Sequence, residues 1–118
     1  MLRKRLPDST QVINVAGQTT LLELCELIQS CRVLLTNDTG PMHLAGALGT
    51  PVVVMTGSTA ARQTGPLDSR SRVLNAGVEC SPCFLRECPI DFRCMNRITI
   101  EQVTDAVLKI WNDPLTQK

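Results

Sequence analysis

Thr36-Asn37-Asp38-Thr39-Gly40-Pro41-Met42-His43-Leu44-Ala45 is the stretch that decides the fold. It follows the apolar run Val33-Leu34-Leu35 and opens into Leu44-Ala45-Gly46-Ala47-Leu48-Gly49, before a second apolar run, Pro51-Val52-Val53-Val54-Met55. A polar segment so placed is a turn from a buried strand into a short helix. In open α/β sheets such a turn lies at the carboxyl edge of the strands, where ligands bind. Gly49 is placed to end a helix over residues 40–48. The nearly continuous valine of residues 51–55 suits a strand covered on both faces.

Upstream, residues 12–15 read as a short strand ended by Ala16-Gly17. Thr20 with Glu23 matches a capping box, in which the two side chains satisfy orphan N–H groups at a helix start. The apolar residues Leu21, Leu24, Cys25, Leu27, Ile28 and Cys31 then fall on one helical face, so Cys25 and Cys31 are expected to pack as small hydrophobes. Residues 32–36 form the next strand. Downstream, residues 56–70 read as a loop, residues 71–75 as a short strand and residues 77–97 as a cysteine-rich loop. Thr99 with Gln102 is a second capping-box match, opening a helix with Val103, Ala106, Val107, Ile110 and Trp111 on one face and Pro114 at its end. Strands alternating with helices at this spacing imply parallel pairing. The expected organisation is a loose segment over 1–10, a partial α/β domain over 11–112 that includes the cysteine loop, and a tail over 113–118. Doubly wound sheets usually have about five or six strands, so the chain resembles part of such a domain.

Composition narrows the function classes. The chain has 118 residues, is 43% hydrophobic and carries a formal net charge of +1. That balance gives no bulk attraction to nucleic acid or to an anionic membrane. Phe84, Phe92 and Trp111 are its aromatic residues, too scattered to form a base-stacking platform. The core must be aliphatic. No apolar run approaches the roughly 20 residues that span a bilayer. No apolar core follows the basic Arg3-Lys4-Arg5 cluster as a signal peptide requires, so a cytoplasmic setting with reduced thiols is expected.

The turn itself has the chemistry of an anion site. Asp38, Thr39 and Gly40 are helix-capping types, and Pro41 suits the first helical position, where no N–H is needed. A helix start offers free N–H groups and a partial positive charge, which suits a phosphate. Gly40 permits close approach of a ligand, Thr39 adds a hydroxyl, and His43 on the first turn adds an imidazole donor. A carboxylate beside a phosphate is repulsive, so Asp38 is better placed to accept from sugar hydroxyls or backbone N–H groups. Spacing alone leaves a plainer alternative open, in which Asp38 and Thr39 only cap the helix and His43 is a boundary histidine. The loop Thr56-Gly57-Ser58-Thr59 follows the next strand on the same edge and could line the same crevice, with Arg62 as a candidate anion contact, although a plain connecting loop is the preferred reading of each residue.

Cys80 and Cys83 have the spacing of a metal knuckle, and Cys88 and Cys94 form a looser second pair. Packing or another thiol role, a metal and a disulfide are the alternatives, with the first preferred and no metal assigned. The loop has little aliphatic content, so something else must hold it down.

Asn37-Asp38-Thr39-Gly40-Pro41-Met42-His43-Leu44-Ala45, with Ala47-Leu48-Gly49-Thr50-Pro51-Val52-Val53 after it, resembles the signature of glycosyltransferase family 9, the heptosyltransferases of lipopolysaccharide inner-core assembly. The segment Val15-Ala16-Gly17-Gln18-Thr19-Thr20-Leu21-Leu22-Glu23-Leu24 and the later Thr64-Gly65-Pro66 are similar to its flanks. The segments from Cys80 to Pro89, Cys94-Met95 and Ile98 to Val103 resemble the tail of its heptosyltransferase II branch.

The resemblance implies the C-terminal, Rossmann-like, donor-binding half of a two-domain GT-B enzyme. That enzyme would transfer heptose from ADP-heptose, with inversion and without a metal or other cofactor, to the growing core. Asp38 would contact the donor sugar, while Thr39, Gly40 and His43 would hold the diphosphate and Thr19 would lie at an adenine contact. The implied partners are a nucleotide sugar, the lipopolysaccharide core acceptor and a separate N-terminal half, with no nucleic acid and no transmembrane segment. The implied place is the cytoplasm, at or near the inner membrane. The family's catalytic base belongs to the N-terminal half, so no catalytic residue is assigned here, and this chain alone is expected to be inactive. Family members usually carry an acidic residue where this chain has Ala60. The alternatives are a small metal-binding or interaction module built on the cysteine loop, or a non-functional gene fragment.

Overall fold

The structure is a computed structural model that describes residues 11–60 and 68–116. Its sheet has three parallel strands in the order β1 (Leu34–Asn37), β2 (Val52–Thr56) and β3 (Arg72–Asn75). Leu34 is level with Val52, and Val53 with Arg72. The carboxyl ends of all three strands therefore share one edge. This is the α/β, partial Rossmann-like arrangement that the sequence implies.

The central strand explains the valine run. Val52 and Val54 point to one face and Val53 to the other, and all three are fully buried. On the first face they meet Ile28 of α1 (Leu21–Ser30) and Met42 and Ala45 of α2 (Gly40–Leu48). On the second face Val53 meets Ala106 and Ile110 of the last helix. A strand covered on both sides has no polar face, so alternation is absent and a continuous apolar run takes its place.

Local signals set the helix ends. Thr20 N–H donates to Glu23 Oε2 at 2.7 Å, and Glu23 N–H returns to Thr20 Oγ1 at 3.2 Å. The helix Ile100–Trp111, here α4, opens on the same device: Thr99 N–H reaches Gln102 Oε1 at 2.8 Å, and Gln102 N–H reaches Thr99 Oγ1 at 3.2 Å. Gly49 ends α2 at φ +74, a left-handed conformation that favours glycine. The buried Thr50 next to it donates its hydroxyl to Ile28 O at 3.0 Å, tying the end of α2 to α1. At the other side of the sheet, the Arg32 guanidinium lies over the Trp111 ring, 4.5 Å from its centre. Residues 114–116 fold back as a 3-10 turn with Thr116 buried.

The expected strand over residues 12–15 is not formed. Asn14 Oδ1 accepts the Ala16 N–H at 3.0 Å, and Gln18 N–H closes a turn on Val15 O at 3.0 Å, with Gly17 at φ +72. β propensity reports how side chains suit a pleated surface, but a strand also needs a neighbour. No strand among the described residues pairs beside this segment. The apolar face of α1 is likewise only partly covered. Ile28 is buried and Leu24 packs against the core, Cys25 and Cys31 are half-buried, and Leu21 and Leu22 are exposed. The expected loose segment 1–10, Arg62 and Thr64-Gly65-Pro66 lie outside the described residues.

An ion pair closes the far end of the sheet. Arg70 Nη2 donates to Asp68 Oδ2 at 2.6 Å and to Gly49 O at 2.7 Å, so one guanidinium joins the start of β3 to the end of α2. That side-chain bond from Arg70 is the main cause that holds the Asp68 carboxyl below the ordinary carboxylate range. A carboxyl with a depressed folded pKa contributes stability that is fully present above its unfolded value, about 4, and is lost as pH falls through the lower folded value. Asp68→Asn should therefore flatten the acid limb: between about pH 5 and pH 2 the parent's urea midpoint should fall more steeply than the variant's. Parallel acid limbs would show that this pair does not couple folding to pH.

Candidate functional site

The site is built where β1 runs into α2 at the carboxyl edge of the sheet. Thr39 is the N-cap residue, with extended backbone at φ −146 and ψ 176. Its hydroxyl makes no cap bond to the helix. It donates instead to Asn37 O at 3.3 Å and lies 3.4 Å from Thr36 Oγ1. The Met42 N–H is taken by the Thr39 carbonyl at 3.1 Å and Pro41 has none, so the N–H that the Thr39 side chain leaves open at the start of α2 is that of Gly40. A Cβ added to Gly40 would meet no atom within 4 Å, so the packing of the described residues does not itself require glycine there. His43 is exposed on the first turn of α2, and Met42, its neighbour in sequence, anchors that turn in the core.

Asp38 turns the other way. Its Oδ2 accepts the Thr59 hydroxyl at 2.5 Å, joining two loops 21 residues apart in sequence. The two line a cavity of about 280 Å³ over the ends of β1 and β2, together with Gly57 and Ser58. Asp38 and the loop over residues 56–59 therefore line one cavity. Thr39, Gly40, His43 and Thr19 lie outside its lining. Thr39, Gly40 and His43 follow Asp38 along the start of α2, whereas Thr19 sits exposed before α1.

The cysteine loop also lines the cavity, through Cys80, Cys83, Cys88 and Cys94 among others. Hydrogen bonds and packing hold this loop down. Phe84 N–H donates to Ser58 O at 2.7 Å, and the Ser81 hydroxyl bonds Gly57 O. Gly57 is buried against the short helix α3 (Arg93–Asn96), where a Cβ would lie 2.7 Å from Cys94 Sγ. Arg93 is paired with Asp91 at 3.0 Å and also with Glu79. Cys88 Sγ accepts the Phe92 N–H at 3.3 Å, and the backbone N–H of Ile90, followed by that of Phe92, draws its thiol below the usual cysteine range. All six cysteines are free thiols. Among the described residues no group of three or more His, Cys, Asp or Glu is gathered to hold a metal ion.

Arg86 is the residue the sequence did not single out. It lines the cavity from the cysteine loop. Its only sequence signal is a lone cation inside a run of sulfur and apolar residues, a signal too weak to read unless the loop is known to face Asp38.

A three-stranded parallel sheet with helices on both faces and a crevice at its carboxyl edge defines the class: part of a Rossmann-like α/β domain. Sequence comparison supplies the family. The sequence model of glycosyltransferase family 9 (heptosyltransferase) matches residues 2–92, and the chain belongs to that family. It is 30% identical over 105 residues to lipooligosaccharide heptosyltransferase 2 of Campylobacter jejuni serotype O:6, covering 87% of this chain and 33% of that protein. It is 35% identical over 75 residues to the Haemophilus influenzae protein of the same description, covering 62% and 22%. It is 41% identical over 61 residues to lipopolysaccharide heptosyltransferase 2 of Escherichia coli K12, covering 52% and 18%. The chain thus spans no more than about a third of the length of these relatives. No solved structure matches it. No helix among the described residues is long and apolar enough to cross a membrane.

Proposed function

We propose that this chain forms the nucleotide-sugar side of a heptosyltransferase site, taking ADP-heptose for transfer to the lipopolysaccharide core. The observation that carries this is the start of α2. Thr39 does not cap it with its side chain, Gly40 leaves open space over it, and it lies at the carboxyl edge of a parallel sheet. Membership of glycosyltransferase family 9 supports a nucleotide sugar over other phosphorylated ligands.

The roles follow from the chemistry. In glycosyl transfer the bond between the sugar's anomeric carbon and the diphosphate oxygen breaks, and a bond forms to an acceptor hydroxyl oxygen. Negative charge grows on the departing diphosphate. The Gly40 N–H and the dipole of α2, with the His43 imidazole and the Thr39 hydroxyl once it turns from Asn37 O, are suited to hold that charge. Asp38, an acceptor-only carboxylate, is suited to the sugar hydroxyls. Thr19 would lie toward the adenine. The acceptor and the base that takes its proton are assigned to a part of the enzyme outside this chain.

Calorimetric titration of the 118-residue chain tests the proposal. ADP and ADP-heptose should both bind, and His43→Ala should weaken both by about threefold to tenfold, the loss of roughly one hydrogen bond. A folded chain that binds neither ligand would overturn the proposal. Equal binding by parent and variant would remove His43 from the site.

A further inference from the structure

The cavity beside Asp38 is small. At about 280 Å³ it falls just below the roughly 300–1,000 Å³ typical of ligand pockets. That is room for one sugar ring rather than for a whole nucleotide sugar. Its lining is of two kinds. The loops after β1 and β2 present the Asp38 carboxylate, which only accepts, and the Ser58 and Thr59 hydroxyls. The cysteine loop presents apolar carbon from Leu85 and Phe92, together with the cation Arg86.

The two arginines in the lining differ in a way that matters. Arg93 is engaged by Asp91 and Glu79. The Arg86 guanidinium pairs with no group among the described residues. Arg86 is exposed, and two residues before it Phe84 N–H donates to Ser58 O at 2.7 Å, which ties this part of the loop to the loop after β2. A donor-only fork and an acceptor-only carboxylate thus line one largely apolar cavity. A polyhydroxylated ring matches that pattern: its hydroxyls donate to the carboxylate and accept from the fork, and its C–H face packs on apolar carbon.

We propose that the cysteine loop is the specificity wall of the sugar pocket, with Arg86 donating hydrogen bonds to hydroxyl oxygens of the sugar that Asp38 holds. This rests on the nucleotide-sugar assignment above. It adds that the loop reads the sugar and not the nucleotide. The cysteines then serve to shape a wall, and Arg86 is the group on it that discriminates.

The test compares two ligands that differ only in the sugar. ADP and ADP-heptose are titrated into the parent chain, Arg86→Ala and Arg97→Ala, the last an exposed arginine outside the cavity lining. Arg86→Ala should weaken ADP-heptose about tenfold or more and leave ADP unchanged, while Arg97→Ala should change neither. If Arg86→Ala leaves the ratio of the two affinities at the parent's value, the specificity wall is overturned and the nucleotide site stands. If the parent binds neither ligand, the nucleotide-sugar assignment itself fails, and the specificity wall with it.

Discussion

Met42→Ala should cost about 2–5 kcal/mol of folding stability, the usual range for removing a fully buried methionine. Met42 is 0% exposed and sits among Ile28, Ala45, Val52 and Val54, where α1, α2 and the sheet meet. Truncation removes its burial and leaves a cavity that fully buried neighbours can close only in part. Small domains are stable by only about 5–15 kcal/mol, so a loss of this size is a large share of the total. Met42 also lies between Pro41 and His43 in the first turn of α2, so it fixes the helix start against the sheet. Urea denaturation reads the effect as a lower midpoint at unchanged slope. A loss under about 1 kcal/mol would mean that the site-bearing helix is not seated as described.

Asp38→Ala should weaken ADP-heptose by roughly 10- to 100-fold, the worth of hydrogen bonds to a charged group, and should affect ADP much less. Asp38 lines the cavity and engages Thr59, whereas the Gly40 N–H lies at the start of α2 outside that lining. The proposed function divides sugar and diphosphate contacts between adjacent residues, and the two ligands would separate them. Thermal melts of the variant should show only a modest loss, because the Asp38 bond to Thr59 is only partly buried. An equal loss for both ligands would place Asp38 at the phosphates or in the scaffold.

Much of this was legible in the sequence wherever the determinant is local. Capping boxes at Thr20 and Thr99 act over three residues, and both formed. Gly49 ends α2 because only a residue at ease with positive φ suits that place, and the helix has the bounds its neighbours imply. The valine run announced a strand buried on both faces. Residues 12–15 failed for a non-local reason, since a strand needs a neighbour and propensity says nothing about one. The partnership of Asp38 with Thr59 could be expected only as two loops on one sheet edge; the bond itself depends on how the strands register. The cysteine loop was visible as a cluster but not as a wall. Its position is set by Ser58 and Gly57 backbone carbonyls, which carry no side-chain signature.

The most direct test of the central claim is residue-resolved. Backbone amide spectra of the 15N-labelled chain are recorded as ADP-heptose is added. The largest shift changes should fall on residues 38–43, with a second set on Ser58 and Thr59, and none should exceed them in α4. Changes confined to other segments, or spectra that do not move at saturating ligand, would contradict a nucleotide-sugar site at the start of α2.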